Sequence, residues 1–407
     1  MSLPNAPGQA REQLESIVLP FWLEHGVDER DGGFHTCFDN RGRTRTSTDK
    51  FTWSQGRFVW LLARAADLGH RGSLDVDGDR LLALATTGAR FLESFAVRAD
   101  GTSRFALVRT GHAAAPGHPD RSVYADCFVA MGLAELGRVT GEPHWLELAR
   151  PIVERARTDI RAGTAPTPPY DVPAGYQAFG PRMILLNTLL VFAQAELSLH
   201  RSRSTFPWLL EGLDAMLEHR LPDGTFAEMT GPDPESLIGR HRVPGHAIEG
   251  IWMALEAMPL VADERDRNPL LDSIGALCTL GWDRELGGLL RFTDSSGAAA
   301  PTGTTSGTPY EDLVARTWST KLWWVHSEAA ATTAIAATRY GHGPSAQWFQ
   351  QIWDYTLTTF PGRGDGEEWI QIRDRNGRPL DEVVALPVKD PYHVARNLMQ
   401  IVELGRS

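Results

Sequence analysis

Residues 282–297 read WDRELGGLLRFTDSSG, and residues 27–43 read VDERDGGFHTCFDNRGR. Each holds an aspartate, three residues, a Gly-Gly pair, a short β-like run and a polar turn ending near a glycine. Gly-Gly between such runs is a tight-turn signal. RADGTSRFALV (98–108), PDGTFAE (222–228) and RGDGEEWIQIRDRNGR (363–378) are looser relatives. They recur at intervals of roughly 60–80 residues, or double that where one copy is missing, as a repeated unit requires.

Helical periodicity fills the space between them. QGRFVWLLARAADLG (55–69), RLLALATTGARFLESFA (80–96), DCFVAMGLAELGRVTG (126–141) and PRMILLNTLLVFAQAELSL (181–199) place apolar residues at i, i+3, i+4 and i+7. So do HAIEGIWMALEAM (246–258), LWWVHSEAAATTAIAATRYG (322–341) and YHVARNLMQIVELG (392–405), and several of these segments stop at glycine. Each repeat therefore reads as a helix pair with a hairpin on one side. The 407 residues give about 68 for each of six such units. Neither end carries a polar capping repeat, so a closed ring of six pairs accounts for the pattern better than an open solenoid. The expectation is an all-α chain forming one domain over residues 1–407, with short β-hairpins in the connections. RAGTAPTPPYDVPAG (161–175) and SSGAAAPTGTTSGTPYEDL (295–313) are loop-length, and the second is long enough to cover a site.

Composition excludes several classes. A net charge of −11 offers no basic face for nucleic acid or an anionic membrane. No run reaches the roughly 18 apolar residues of a membrane span, so no membrane partner is expected. The three cysteines form no CxxC pair, and no signal pattern opens the chain, which together predict a cytoplasmic protein. Thirteen tryptophans supply material for a core and for platforms under sugar rings.

Chemistry concentrates at helix starts. In PGHAIEGIW (244–252), Pro244 suits the first helical turn and puts His246 near a helix N-terminus. Glu249, at i+3, shares its face and is expected to hydrogen-bond the imidazole. PYHVARN (391–397) repeats the Pro-x-His device with His393, but Arg396 stands where Glu249 stood. Two histidines presented alike predict two similar acid/base jobs. KFTWSQGRFVWLL (50–62) brings Trp53 and Arg57 to another helix start, and KLWWVHSEAA (321–330) brings Trp324 and Glu328 to a third. Asn187 is a lone polar residue in MILLNTLL and needs a partner or a ligand hydroxyl. There is no HExxH, no phosphate-cradling loop and no GxSxG elbow, so no metal is expected. A glycoside hydrolase would need two carboxylates across the pocket, for which Asp126, Glu249 and Glu328 are the candidates. A non-catalytic binding protein would keep all function without either histidine.

Taken together, FWLEHGVDERDGGFHTCF (21–38), WSQGRFVW (53–60), RMILLNTLL (182–190), PGHAIEGIW (244–252), GWDRELGGLLRF (281–292), KLWWVHSEA (321–329) and KDPYHVARNL (389–398) resemble the N-acylglucosamine 2-epimerase family. That family includes the renin-binding protein and, more remotely, cellobiose 2-epimerases and mannose isomerases. The resemblance implies a single (α/α)6 barrel with a C2-epimerisation or aldose–ketose site. It implies that His246 and His393 are the acid/base pair, with Glu249 the partner of the first. Arg57, Asn187 and Trp324 match positions lining the sugar pocket, and Trp53 and Glu328 join them as expected substrate-binding residues. The cellobiose and mannose branches tend to carry histidine where Asn187 stands. Cellobiose epimerases tend to carry tryptophan where Val388 stands, which argues against a disaccharide here. The expected substrate is a monosaccharide, N-acetylglucosamine/N-acetylmannosamine ahead of glucose/mannose. No cofactor is required, ATP is at most an activator, and a homodimer is compatible with all of this.

Overall fold

The computed structural model describes Leu3 and residues 5–114, 117–364, 366–383 and 386–405. Its helices are α1 (Ala6–Gln13), α2 (Leu19–His25), α3 (Thr52–His70), α4 (Gly78–Phe91), α5 (Val123–Thr140), α6 (Pro143–Ala162), α7 (Phe179–His200) and α8 (Phe206–Leu217). They continue as α9 (Leu237–Arg240), α10 (Pro244–Leu260), α11 (Asn268–Gly281), α12 (Pro309–Thr317), α13 (Trp323–Arg339), α14 (Gly343–Thr359) and α15 (Tyr392–Leu404). A π turn at Leu14–Val18 joins α1 to α2.

Six helices, α3, α5, α7, α10, α13 and α15, pack in that order, and α15 returns to α3 to close an inner ring. Each carries an outer partner: α4 on α3, α6 on α5, α8 on α7, α11 on α10, α14 on α13 and α1 on α15. This is the expected (α/α)6 barrel, with the first and last helices of the chain meeting at the seam. Helix character follows position. Every residue of α13 from Trp323 to Ala337 is buried, whereas α4 buries one stripe built on Leu81, Ala85 and Ala89. Glycines let the inner backbones touch. A Cβ on Gly56 would lie 2.4 Å from the Phe128 carbonyl, and one on Gly132 would lie 2.5 Å from the Gly56 oxygen.

Helix α7 departs from one sequence expectation, because by length and composition it could cross a membrane. Its apolar surface is used instead by α5, α6, α8 and α10, which surround it.

The hairpins sort the ring's two ends. Strands β1 (Lys50–Phe51) and β2 (Ala106–Leu107) pair antiparallel, as do β3 (Gln177–Ala178) with β4 (Met229–Thr230), β5 (His241–Arg242) with β6 (Thr293–Asp294), and β7 (Lys321–Leu322) with β8 (Ile372–Arg373). The first strand of each pair leads directly into an inner helix, and the second follows an outer one. The strands therefore staple the N-terminal turns of the inner helices together at one end of the barrel.

The two Asp-x3-Gly-Gly stretches fold alike. Gly32, Gly33, Gly287 and Gly288 have φ of 77°, 69°, 71° and 78°, which only glycine adopts readily. Asp28 accepts backbone bonds across its turn and is paired with Lys50 at 3.0 Å and Arg109 at 2.8 Å. Asp283 does the same with Lys321 at 3.6 Å and Arg375 at 2.8 Å. Each buried lysine opens the strand before an inner helix, so the turn is locked to the helix start that builds the site. These cations hold the Asp283 carboxyl near 2, and that of Asp28 lower still, against the burial that would raise both.

Candidate active site

The N-terminal turns of the inner helices surround a cavity of about 250 Å³, slightly below the roughly 300–1,000 Å³ usual for small-molecule sites. Trp53, Arg57, Trp324, His246, Glu249 and His393, all singled out in the sequence, line it. Tyr124, Phe128, Glu228, Arg291 and Asp390 line it as well.

Trp324 sits between the two histidines. Its ring centroid is 5.2 Å from that of His246 and 5.7 Å from that of His393. The PGH stretch makes this approach feasible, since a Cβ on Gly245 would lie 2.8 Å from the Trp324 ring.

The environments of the two imidazoles differ. His246 is 31% exposed, and its Nδ1 lies 3.1 and 3.2 Å from the two Glu228 carboxylate oxygens. Burial works against the imidazolium, but the charge and hydrogen bond of Glu228 outweigh it, and the His246 pKa lies above its usual 6.5. The same contact holds Glu228 below its usual range despite burial.

His393 is bound on both sides. Its Nδ1 lies 2.6 Å from Glu328 Oε1, and its Nε2 lies 3.2 Å from Arg57 Nη2. A guanidinium can only donate, so Nε2 is the acceptor and the ring proton sits on Nδ1. Burial lowers the His393 pKa to about 3, opposed by Glu249 and assisted by Arg57 and Arg396. The ring is therefore neutral at physiological pH. Arg57 is fixed by Asp390 at 3.2 Å and lies over the rings of Trp53 at 4.5 Å and Phe128 at 4.0 Å.

Three expectations are corrected. Glu249 does not hold His246. It accepts from Arg396 Nη2 at 2.6 Å, because a full cation competes better for it than an imidazole does, and Glu228 takes the histidine. Glu328 is fully buried behind the cavity wall, where it binds His393, Arg396 and the Trp252 indole N–H, so it cannot touch a sugar. Asn187 lies one turn beyond Met183 and Ile184, which line the site, and its side chain faces a different cavity.

Sequence reasoning missed Glu228, Asp390 and the role of Arg396. Glu228 closes the PDGTFAE hairpin and is brought to His246 by the β3–β4 staple. Arg396 stands at i+3 from His393, on the same helix face.

Among the described residues, one cluster has metal-ligand spacing: Glu249, Glu328 and His393, with ligand atoms within 4.8 Å of one another. The Arg396 guanidinium already lies against both carboxylates. The carboxylates offered for hydrolysis are committed too. Glu249 binds Arg396, Glu328 is sealed off, and Asp126 is buried against Ser103 and Arg121.

A ring of helix pairs that gathers two glutamate-held histidines over one tryptophan at its helix starts is an (α/α)6 barrel with a titratable pocket. The profile of the family described as N-acylglucosamine 2-epimerase (GlcNAc 2-epimerase) matches residues 32–396. N-acylglucosamine 2-epimerase of Bos taurus is 30% identical over 403 residues, spanning 95% of this chain and 88% of that protein. The solved structure of cellobiose 2-epimerase from Bacillus thermoamylovorans matches with a TM-score of 0.76 at 17% identity, over 98% of both chains. D-mannose isomerase matches with a TM-score of 0.73 at 15% identity, over 99% of both chains. The chain belongs to the N-acylglucosamine 2-epimerase family and is a sugar 2-epimerase.

Proposed function

We propose that the chain interconverts N-acetylmannosamine and N-acetylglucosamine by moving a proton at C2, with His246 and His393 on opposite faces of that carbon. The observation that carries this reading is the pair of imidazoles flanking Trp324 in one cavity, each with Nδ1 held by a glutamate.

In the open-chain sugar the C1 carbonyl acidifies the C2 hydrogen. One imidazole removes it, and the enediolate forms beside Arg57. A rigid guanidinium stacked on aromatic rings needs little reorganisation to stabilise that oxyanion. Return of a proton from the other imidazole to the opposite face inverts C2. His393, with a low pKa, is neutral and ready to accept. His246, with a raised pKa, is the ready donor. The reverse direction exchanges the roles.

The reaction in this reading needs no metal, since the Arg396 guanidinium provides the positive charge at the Glu249–Glu328 pair. A monosaccharide is favoured by the small cavity and by Val388 in its wall. The three buried, free cysteines fit a reducing compartment such as the cytoplasm.

A chromatographic panel of sugars tests the assignment. N-acetylmannosamine and N-acetylglucosamine should interconvert faster than any other pair. Conversion confined to mannose and fructose would replace the reading with aldose–ketose isomerisation, and cleavage of an aryl glycoside would replace it with hydrolysis.

A further inference from the structure

The barrel has a second interior cavity, of about 340 Å³, at the opposite end from the first. Its walls come from the same inner helices, from their middles toward their C-terminal ends: Trp60 and Arg64 of α3, Glu135 of α5, Trp252 of α10, and Arg396 and Gln400 of α15. Asn187 of α7 faces it as well.

Two independent features mark this cavity as a site. Four buried polar atoms of its wall have no hydrogen-bond partner among the described residues: Asn187 Nδ2, Trp60 Nε1, Arg396 Nε and Gln400 Oε1. Asn187 and Arg396 are each only 2% exposed, so their demand is not met at the protein surface. An unmet buried donor is costly, and native chains rarely retain several in one place. The wall's charges, in contrast, are already matched. Arg64 binds Glu403 at 2.8 Å, Arg138 binds Glu135 at 2.7 Å, and Arg339 binds Glu256. A charged ligand would meet neutralised walls, whereas hydroxyl groups can satisfy donors and acceptor alike. The indoles of Trp60 and Trp252 add apolar surface for a C–H face.

We propose that this rear cavity is a second ligand site for a neutral, hydroxyl-rich molecule of monosaccharide size, bound through Asn187, Trp60, Gln400 and Arg396. Arg396 connects it to the first cavity. Its Nη2 binds Glu249 and Glu328, and Glu328 holds His393. A ligand on Arg396 Nε thus reaches His393 through two side chains, Arg396 and Glu328. This coupling rests on the epimerase reading, but the binding does not.

The test is calorimetric titration of the full chain with N-acetylglucosamine, paired with a crystal structure at saturating sugar. Two sites are expected, the second with sugar density against Asn187 and Gln400. Asn187→Leu with Gln400→Met should abolish that site and leave one. A single site in the unaltered chain, with only ordered water in the rear cavity, would overturn the proposal and leave the epimerase reading intact. Unaltered two-site binding in the double variant would overturn the assigned residues. Should that variant fail to fold, the site count in the unaltered chain still decides.

Discussion

His246 and His393 enter the cavity on equivalent turns of α10 and α15, each just after a proline, yet they sit in opposite electrostatic settings. Glu228 faces His246 as a lone carboxylate and favours the imidazolium. His393 is enclosed between Arg57 and the Arg396-bound Glu328, which favours the neutral ring. In the proposed reaction one device, Pro-x-His at a helix start, becomes acid or base according to its neighbours: Glu228 from the β3–β4 hairpin for His246, and Arg57 of α3 and Glu328 of α13 for His393. Glutamates on both Nδ1 atoms fix the tautomer. Burial, assisted by the arginines, then lowers the His393 pKa, while Glu228 raises that of His246, so the two rings are shifted in opposite directions.

Removing either ring should have the largest effect. His246→Ala and His393→Ala should each reduce turnover by about 10²–10⁴-fold, the range general acid–base catalysis supplies. Circular dichroism should show both variants folded. Next, Glu328→Gln should cost on the order of 10²-fold in kcat. It removes a charge-assisted bond worth about 1.5–3 kcal/mol and frees the His393 tautomer. Glu228→Gln should cost less, about tenfold, because its main effect is on the pKa of His246. The pH profile of kcat/KM should register this change, with the limb assigned to His246 moving to lower pH. A limb that stays in place would remove Glu228 from the account.

The smallest effect concerns stability, and here the two histidines should have opposite signs. A histidine with a raised folded pKa, such as His246, contributes stability fully below about pH 6.5, and this is lost as pH rises through its folded value. His393, lowered to about 3, contributes above pH 6.5, and its contribution declines as pH falls. Urea midpoints across pH 4 to 8 should therefore lose an acid-side slope in His393→Ala, of at most about 1.4 kcal/mol per pH unit. His246→Ala should lose an alkaline-side slope instead. His326 and His35, held near 3 and 4 by burial, will keep some acid sensitivity in both variants.

Much of this was legible before the fold. The Gly-Gly turns demanded backbone angles that only glycine adopts, so their recurrence marked the repeat and hence the ring. The twin Pro-x-His stretches marked the site. What stayed hidden depended on depth and on long-range pairing. Helix periodicity places Asn187 on an inward face, but along a helix buried on nearly all sides it does not tell which end of the barrel that face meets. The i+3 rule pointed from His246 to Glu249 because it sees only one helix. The actual partner, Glu228, is 18 residues upstream and is delivered by a strand pair of two residues. Nothing in the sequence pairs Lys50 and Lys321 with Asp28 and Asp283, and only the fold brings them together.

The most direct measurement is the position of deuterium early in a reaction run in D2O and followed by NMR. Two bases on opposite faces of one carbon predict product deuterated at C2 while the remaining substrate keeps its protium. Product that retains the original hydrogen at C2, or that carries deuterium at C1 of a ketose, would contradict the account.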